Sequence, residues 1–245
     1  MLNCKKNASR ATNSRSAFTL IELMIVITII SFLVAGITGG AKLIQNAKRT
    51  AAIAEFTEYR TSVAGFVDLV GYNPGDVLSD VATTFELTNV GNGDGTIDAG
   101  GTEGQEALAA IKQLHTLGFD GGFEITANPA AATVQPAIAL STDMPRSKID
   151  TAGWMFGNLG TGKNAIALTG STSEAASDDT LDDIVDGAAG VTGYDALYID
   201  RKLDDGNTGT GMVTGGAAAS SALDSVIIFQ IDGSAAVTAP PAGNP

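Results

Sequence analysis

The stretch NVGNGDGTIDAGG, residues 89–101, sets oxygen-bearing side chains two residues apart, a spacing by which a loop can wrap a hard cation. Asn92, Asp94, Gly95, Thr96, Ile97 and Asp98 fall at positions 3, 5, 6, 7, 8 and 9 of the EF-hand pattern. Val90 and Gly101 then occupy positions 1 and 12 and bring no side-chain ligand, so an EF-hand is rejected. Two readings stay open. The default is a Gly/Asn/Asp turn with solvated acids. The other is a calcium site of a different kind, with Asn92, Asp94, Thr96 and Asp98 as ligands, completed by Glu103 or by distant acids such as Asp204 and Asp205.

The other chemical candidates are weaker. GNLGTGKN, Gly157 to Asn164, nearly spells a phosphate-binding loop, but Asn164 stands where Ser or Thr must reach Mg²⁺. Strand-like AIALTG follows where a helix should begin, so the stretch reads as a loop between strands. SDDTLDDIVD, Ser177 to Asp186, holds five Asp and reads as a solvated face, with a cation site as the minor alternative. His115 is the sole histidine and has no Cys or second His nearby. No nucleophile–base pair can be assembled from it, so no enzyme is expected. Trp154 reads as a core anchor. The net charge of −13 argues against nucleic acid and anionic lipid headgroups as partners. A lone cysteine, Cys4, excludes an intramolecular disulfide.

These residues need a scaffold, and its first element is the clearest feature of the chain. Residues 1–17 carry Lys5, Lys6, Arg10 and Arg15 and no acid. From Leu20 to Ile37 there is one acid, Glu22, and no base. A helix from Phe18 to Ile37 rises about 30 Å, the thickness of a bilayer core. The basic leader places the C-terminus outside the cytoplasm. Neither an ordinary signal peptide nor a plain signal anchor accounts for Glu22, because a carboxylate near the bilayer centre costs about 2.5 kcal/mol or more. Apolar positions recur from Leu43 to Val70 with charges between them, an amphipathic helix ending before Gly71 and Pro74. Gly36, Gly39 and Gly40 interrupt it at about 1 kcal/mol each. They read either as a close-packing surface or as a segment that can loosen.

Phe18, Thr19, Leu20, Ile21 and Glu22, behind a basic leader and ahead of a long apolar helix, resemble the N-terminus of type IV prepilins and type II secretion pseudopilins. The resemblance implies cleavage between Ala17 and Phe18 by a prepilin peptidase and methylation of the Phe18 amine. Ala17 departs from the usual Gly. It further implies that Glu22 pairs with the Phe18 amine of a neighbouring subunit. Partners would be copies of the chain, other pilins or pseudopilins, and an inner-membrane assembly platform. The location implied is the bacterial inner membrane in a single pass, then a periplasmic or extracellular filament. Loss of the leader's four positive charges takes the net charge from −13 to −17.

The remainder, residues 71–245, reads as a mixed α and β head. A helix is expected over 103–118 with Gly118 as its cap, and a short one from Thr192 to Leu203. Strands are expected at Gly122–Thr126, Val134–Leu140, Gly153–Phe156, Asn164–Thr169 and Ser225–Ile231. YNPGD at Tyr72–Asp76, the Gly91–Asp98 loop, the helix after it and DALYIDRKLDDG at Asp195–Gly206 are similar, in order, to motifs of one group of prepilin-type proteins. Major pseudopilins often hold one Ca²⁺ in a head loop, which the resemblance carries to Asn92–Asp98. The expected fold class is therefore α+β and pilin-like. It has a removed leader (1–17), a long N-terminal helix (18–70, its 18–37 part membrane-spanning and its 41–70 part an amphipathic stem) and a head with an antiparallel sheet and short helices. The expected function is a structural filament subunit. The alternative is a membrane-anchored extracytoplasmic binding module that does not polymerise and captures calcium or another extracellular ligand.

Overall fold

The computed structural model describes residues 18–87, 91–98, 106–119, 140–141, 143–160, 162–171, 181, 188–215 and 223–231. The cleavage-side residue Ala17, the expected strand Gly122–Thr126, nearly all of Val134–Leu140 and most of Ser177–Asp186 lie outside them. By compactness the chain divides into Met1–Gln45 and Asn46–Pro245. Helix α1, Leu20–Val70, contributes its first part to one unit and its residues from Asn46 onward to the other.

The described residues of the first unit form almost no interior. Leu20 and Phe32 are 89% and 80% exposed, and the most apolar window of α1 is 0% buried. By length and composition this helix can cross a membrane. Its few hydroxyls are already satisfied: Thr28 donates to the Ile25 carbonyl at 2.8 Å and Ser31 to that of Ile27 at 2.7 Å. Such bonds remove the cost of placing them in hydrocarbon. The helix runs unbroken through Gly36, Gly39 and Gly40, where added Cβ atoms would meet nothing within 4 Å.

The second unit is an α+β domain. From α1 it buries Ala52, Phe56, Val63, Phe66 and Val70, a stripe at helical spacing. Beyond Gly71 come α2 (Ser79–Thr84), α3 (Glu106–Thr116), β1 (Gly153–Asn158), β2 (Asn164–Thr169), β3 (Val191–Thr192), α4 (Gly193–Leu203), β4 (Val213–Thr214), β5 (Leu223–Ser225) and β6 (Ile227–Gln230). Strands β1, β2, β6 and β4, in that order, form an antiparallel sheet, and β3 pairs with β5 in a second one. Both strands of the β1–β2 hairpin are buried at all six positions, so both faces of this part of the sheet are covered. Phe56 stacks on Phe229 with ring centroids 4.4 Å apart, and Tyr59 meets Trp154 and Phe156 at 5.8 Å. Trp154 is thus the expected core anchor, with its Nε1 donating to Glu55 at 3.0 Å.

Local chemistry explains the boundaries. Gly71 takes φ +85° and donates to the Val67 carbonyl, closing α1. Gly118 N donates to His115 O and Phe119 N to Leu114 O, a Schellman cap. Thr192 and Asp195 form a reciprocal capping box, so α4 starts after Thr192. GNLGTGKN runs from the end of β1 to the start of β2, between strands as expected, with Gly160 and Gly162 at positive φ. One expected strand is corrected. Ser225–Ile231 is two elements, because β5 bonds to β3 whereas β6 bonds to β2 and β4.

Candidate functional site

At the start of α1, Phe18 and Thr19 precede the first helical residue, and Phe18 is 83% exposed. Thr19 is the N-cap. Its Oγ1 accepts from the Glu22 amide at 3.3 Å, while Glu22 Oε2 accepts from the Thr19 amide at 3.4 Å. Thr19 Oγ1 also reaches Glu22 Oε2 at 3.5 Å. This is a capping box, which satisfies two amides that a helix start would otherwise strand. Glu22 therefore has a local role that the sequence reading overlooked, although T-x-x-E ahead of an apolar run is the signal for it. The bonds are long, and a carboxylate so held can be exchanged for a stronger partner.

Residues 12–38 match the family described as the prokaryotic N-terminal methylation motif. The chain carries the type IV prepilin and pseudopilin signature. No curated protein and no solved structure matches the chain. The prepilin motif implies processing by a prepilin peptidase and assembly with other pilins, and its family is structural rather than enzymatic. It and the apolar helix suit anchoring in an inner membrane. The fold, a long apolar N-terminal helix followed by an α+β domain, is pilin-like.

In the second unit, the Asn92–Asp98 loop is held from inside. Buried Asp76 accepts from the Gly93 amide and, at 2.7 Å, from that of Gly95. Buried Glu106 accepts from the Asn92 amide at 3.0 Å and the Asp98 amide at 2.9 Å. Asn164 takes the Ile97 amide at 2.8 Å and gives its own Nδ2 to the Gly95 carbonyl, which Asn73 Nδ2 also reaches. The YNPGD turn, the loop, α3 and the β1–β2 hairpin are therefore one hydrogen-bonded unit. Gly75 shows how tight it is: at φ +94° its amide donates to Gln113, and a Cβ there would sit 2.3 Å from the Glu106 carbonyl.

The four residues expected as calcium ligands are adjacent, yet their polar atoms are spent on one another and on the scaffold. Asp94 accepts from Thr96 Oγ1 at 2.6 Å, the Thr96 amide at 2.8 Å and Asn92 Nδ2 at 3.2 Å. Asp98 accepts from Asn158 Nδ2 at 2.8 Å and from Thr96 Oγ1 at 3.2 Å. Partial burial works against Asp94, but these bonds hold it below the usual carboxylate range. A cation here would have to displace them. The supporting acids behave differently. Burial pushes Asp76 up to about 6 despite the Gly95 and Gly93 bonds. Burial, with the charges of Asp76 and Asp98, pushes Glu106 up to about 8. The sequence analysis gives Asp76 only a place in the YNPGD turn and Glu106 only a place on a helix, because their role under the loop depends on the turn and α3 coming together.

A second polar cluster ties α1 to the rest of its unit. Arg49 pairs with Asp195 at 2.6 Å and lies over the Tyr198 ring, 5.4 Å from its centroid. Lys48 pairs with Asp150, and Glu55 accepts from Ser147 at 2.7 Å as well as from Trp154. Asp195 thereby both caps α4 and anchors α1.

Proposed function

We propose that the chain is a structural subunit, pilin or pseudopilin, of a type IV pilus-like or type II secretion-like filament. The observation that carries this is the Phe18–Glu22 signature at the head of an apolar helix whose large side chains are exposed among the described residues. Hydrolysis of the Ala17–Phe18 bond frees the Phe18 amine, which is then methylated. The membrane covers the apolar helix first, and neighbouring helices cover it after assembly. Inside that bundle Glu22 leaves its cap on Thr19 and meets a neighbour's Phe18 amine. A charge pair in low dielectric offsets two desolvation costs and sets the axial register.

Intact-mass analysis of exported material should give a chain beginning at methylated Phe18; one beginning at Met1 or after Ala35 overturns the reading. Glu22→Ala should abolish filaments while the head stays folded. Thr19→Val, which removes the cap but keeps the carboxylate, should assemble. Normal assembly of Glu22→Ala would instead support an anchored module that does not polymerise. The assignment of calcium to Asn92, Asp94, Thr96 and Asp98 belongs to that second reading, and the saturated hydrogen bonds of the loop weigh against it.

A further inference from the structure

The last turn of α4 and the residues after it, IDRKLDDG, bring three acids together. One carboxylate oxygen from each of Asp200, Asp204 and Asp205 lies within 4.8 Å of the other two. An acidic cluster alone means little, because solvated acids tolerate one another. Asp200 is not solvated. Its residue exposure is 0%, and neither Oδ1 nor Oδ2 has a hydrogen-bond partner among the described residues. A buried carboxylate without a partner is costly and calls for compensation.

The Gly206 amide and Arg201 lie near Asp200, but neither meets its oxygens in bonding geometry. The other two acids are held in place by donors on the far side. Asp204 Oδ2 accepts from the Met212 and Val213 amides, the latter at 2.9 Å, which leaves Oδ1 for a ligand. Asp205 accepts from the Asn207 amide and Thr210 Oγ1, both at 2.7 Å, and each oxygen retains a lone pair. The backbone at Gly211 runs against Asp204 so closely that a Cβ would fall 2.0 Å from Oδ2.

We propose that Asp200, Asp204 and Asp205 bind one Ca²⁺ at the C-terminal end of α4. The donors are all oxygen, and neither His nor Cys is among them, which disfavours zinc and other transition metals. Two Ca–O bonds of about 2.4 Å span about 4.8 Å, so one Ca²⁺ can reach oxygens that lie within 4.8 Å of one another. The negative end of the helix dipole adds to the attraction. Bound calcium would offset three crowded charges and link α4 to β4 through Asp204. This site is separate from the Asn92–Asp98 loop and does not depend on filament assembly.

The test is titration of the EDTA-stripped full chain in detergent with CaCl₂ by calorimetry, with the thermal midpoint as second readout. One Ca²⁺ per chain and a raised midpoint are expected. Asp205→Asn, at an exposed position that should not disturb folding, should weaken binding at least tenfold, and so should Asp200→Asn. Asp94→Asn should bind as the parent does. Absence of stoichiometric uptake overturns the proposal. So does binding that is lost in Asp94→Asn and kept in Asp205→Asn.

Discussion

The Asn92–Asp98 loop and the Asp200–Asp205 turn are both short, Gly-flanked and acidic, yet their electrostatics are opposite. In the loop every carboxylate meets donors: Asp94 and Asp98 from their neighbours, Asp76 and Glu106 from the backbone they support. In the turn a fully buried Asp200 meets none in bonding geometry. The number of acids does not separate the two, and the supply of N–H and O–H groups does. An acid saturated with donors is a structural acceptor. An acid denied them wants a cation.

The largest effect that should separate the regions is loss of an acceptor under the loop. Asp76→Ala leaves the Gly93 and Gly95 amides without their acceptor and should cost about 2–5 kcal/mol of head stability by urea denaturation in EDTA. A cost below about 1 kcal/mol would break the contrast.

Next is pH. Glu106 and Asp76 titrate higher folded than unfolded, so the fold binds protons more tightly than the unfolded chain. Their contribution is fully present below the unfolded pKa values of about 4 and is lost as pH rises through about 6 for Asp76 and about 8 for Glu106. The thermal midpoint should therefore fall between pH 5 and pH 8.5, and Glu106→Gln should flatten the upper part of that decline.

A smaller effect should change sign at the turn. In EDTA, Asp200→Asn removes an unpartnered charge and should raise the midpoint by a few degrees, equivalent to about 1 kcal/mol. In saturating Ca²⁺ the same variant should melt below the parent, since ligand binding stabilises only the chain that binds. The smallest effect belongs to Asp94→Asn, which keeps an acceptor for the Thr96 amide and should shift stability by no more than about 0.5 kcal/mol.

Much of this molecule is legible in one dimension. Helix ends are written in single residues: Thr19 before α1, Gly71 after it, Gly118 after α3, Thr192 before α4. Their signals are local, a hydroxyl for a stranded amide or a backbone free to take positive φ. The hairpin over GNLGTGKN is readable for the same reason. Ser225–Ile231 misleads because alternation shows that residues are extended, not which strand they bond. Glu22 is legible twice over, as the fifth residue of a methylation motif and as the fourth of a capping box, and the second meaning was masked by the first.

Charge, apolar length and motif order in the chain suffice for the prepilin signature and the α+β class, because both rest on contacts between residues near in sequence or on the composition of a helix. Tertiary structure alone decides which acids matter. Asp76 lies 17 residues from Gly93, and Glu106 lies 14 from Asn92. Asp200 is set apart from Asp204 and Asp205 only by packing that shuts it from water. Desolvation is a property of the surroundings, and no spacing of residues along a chain encodes it.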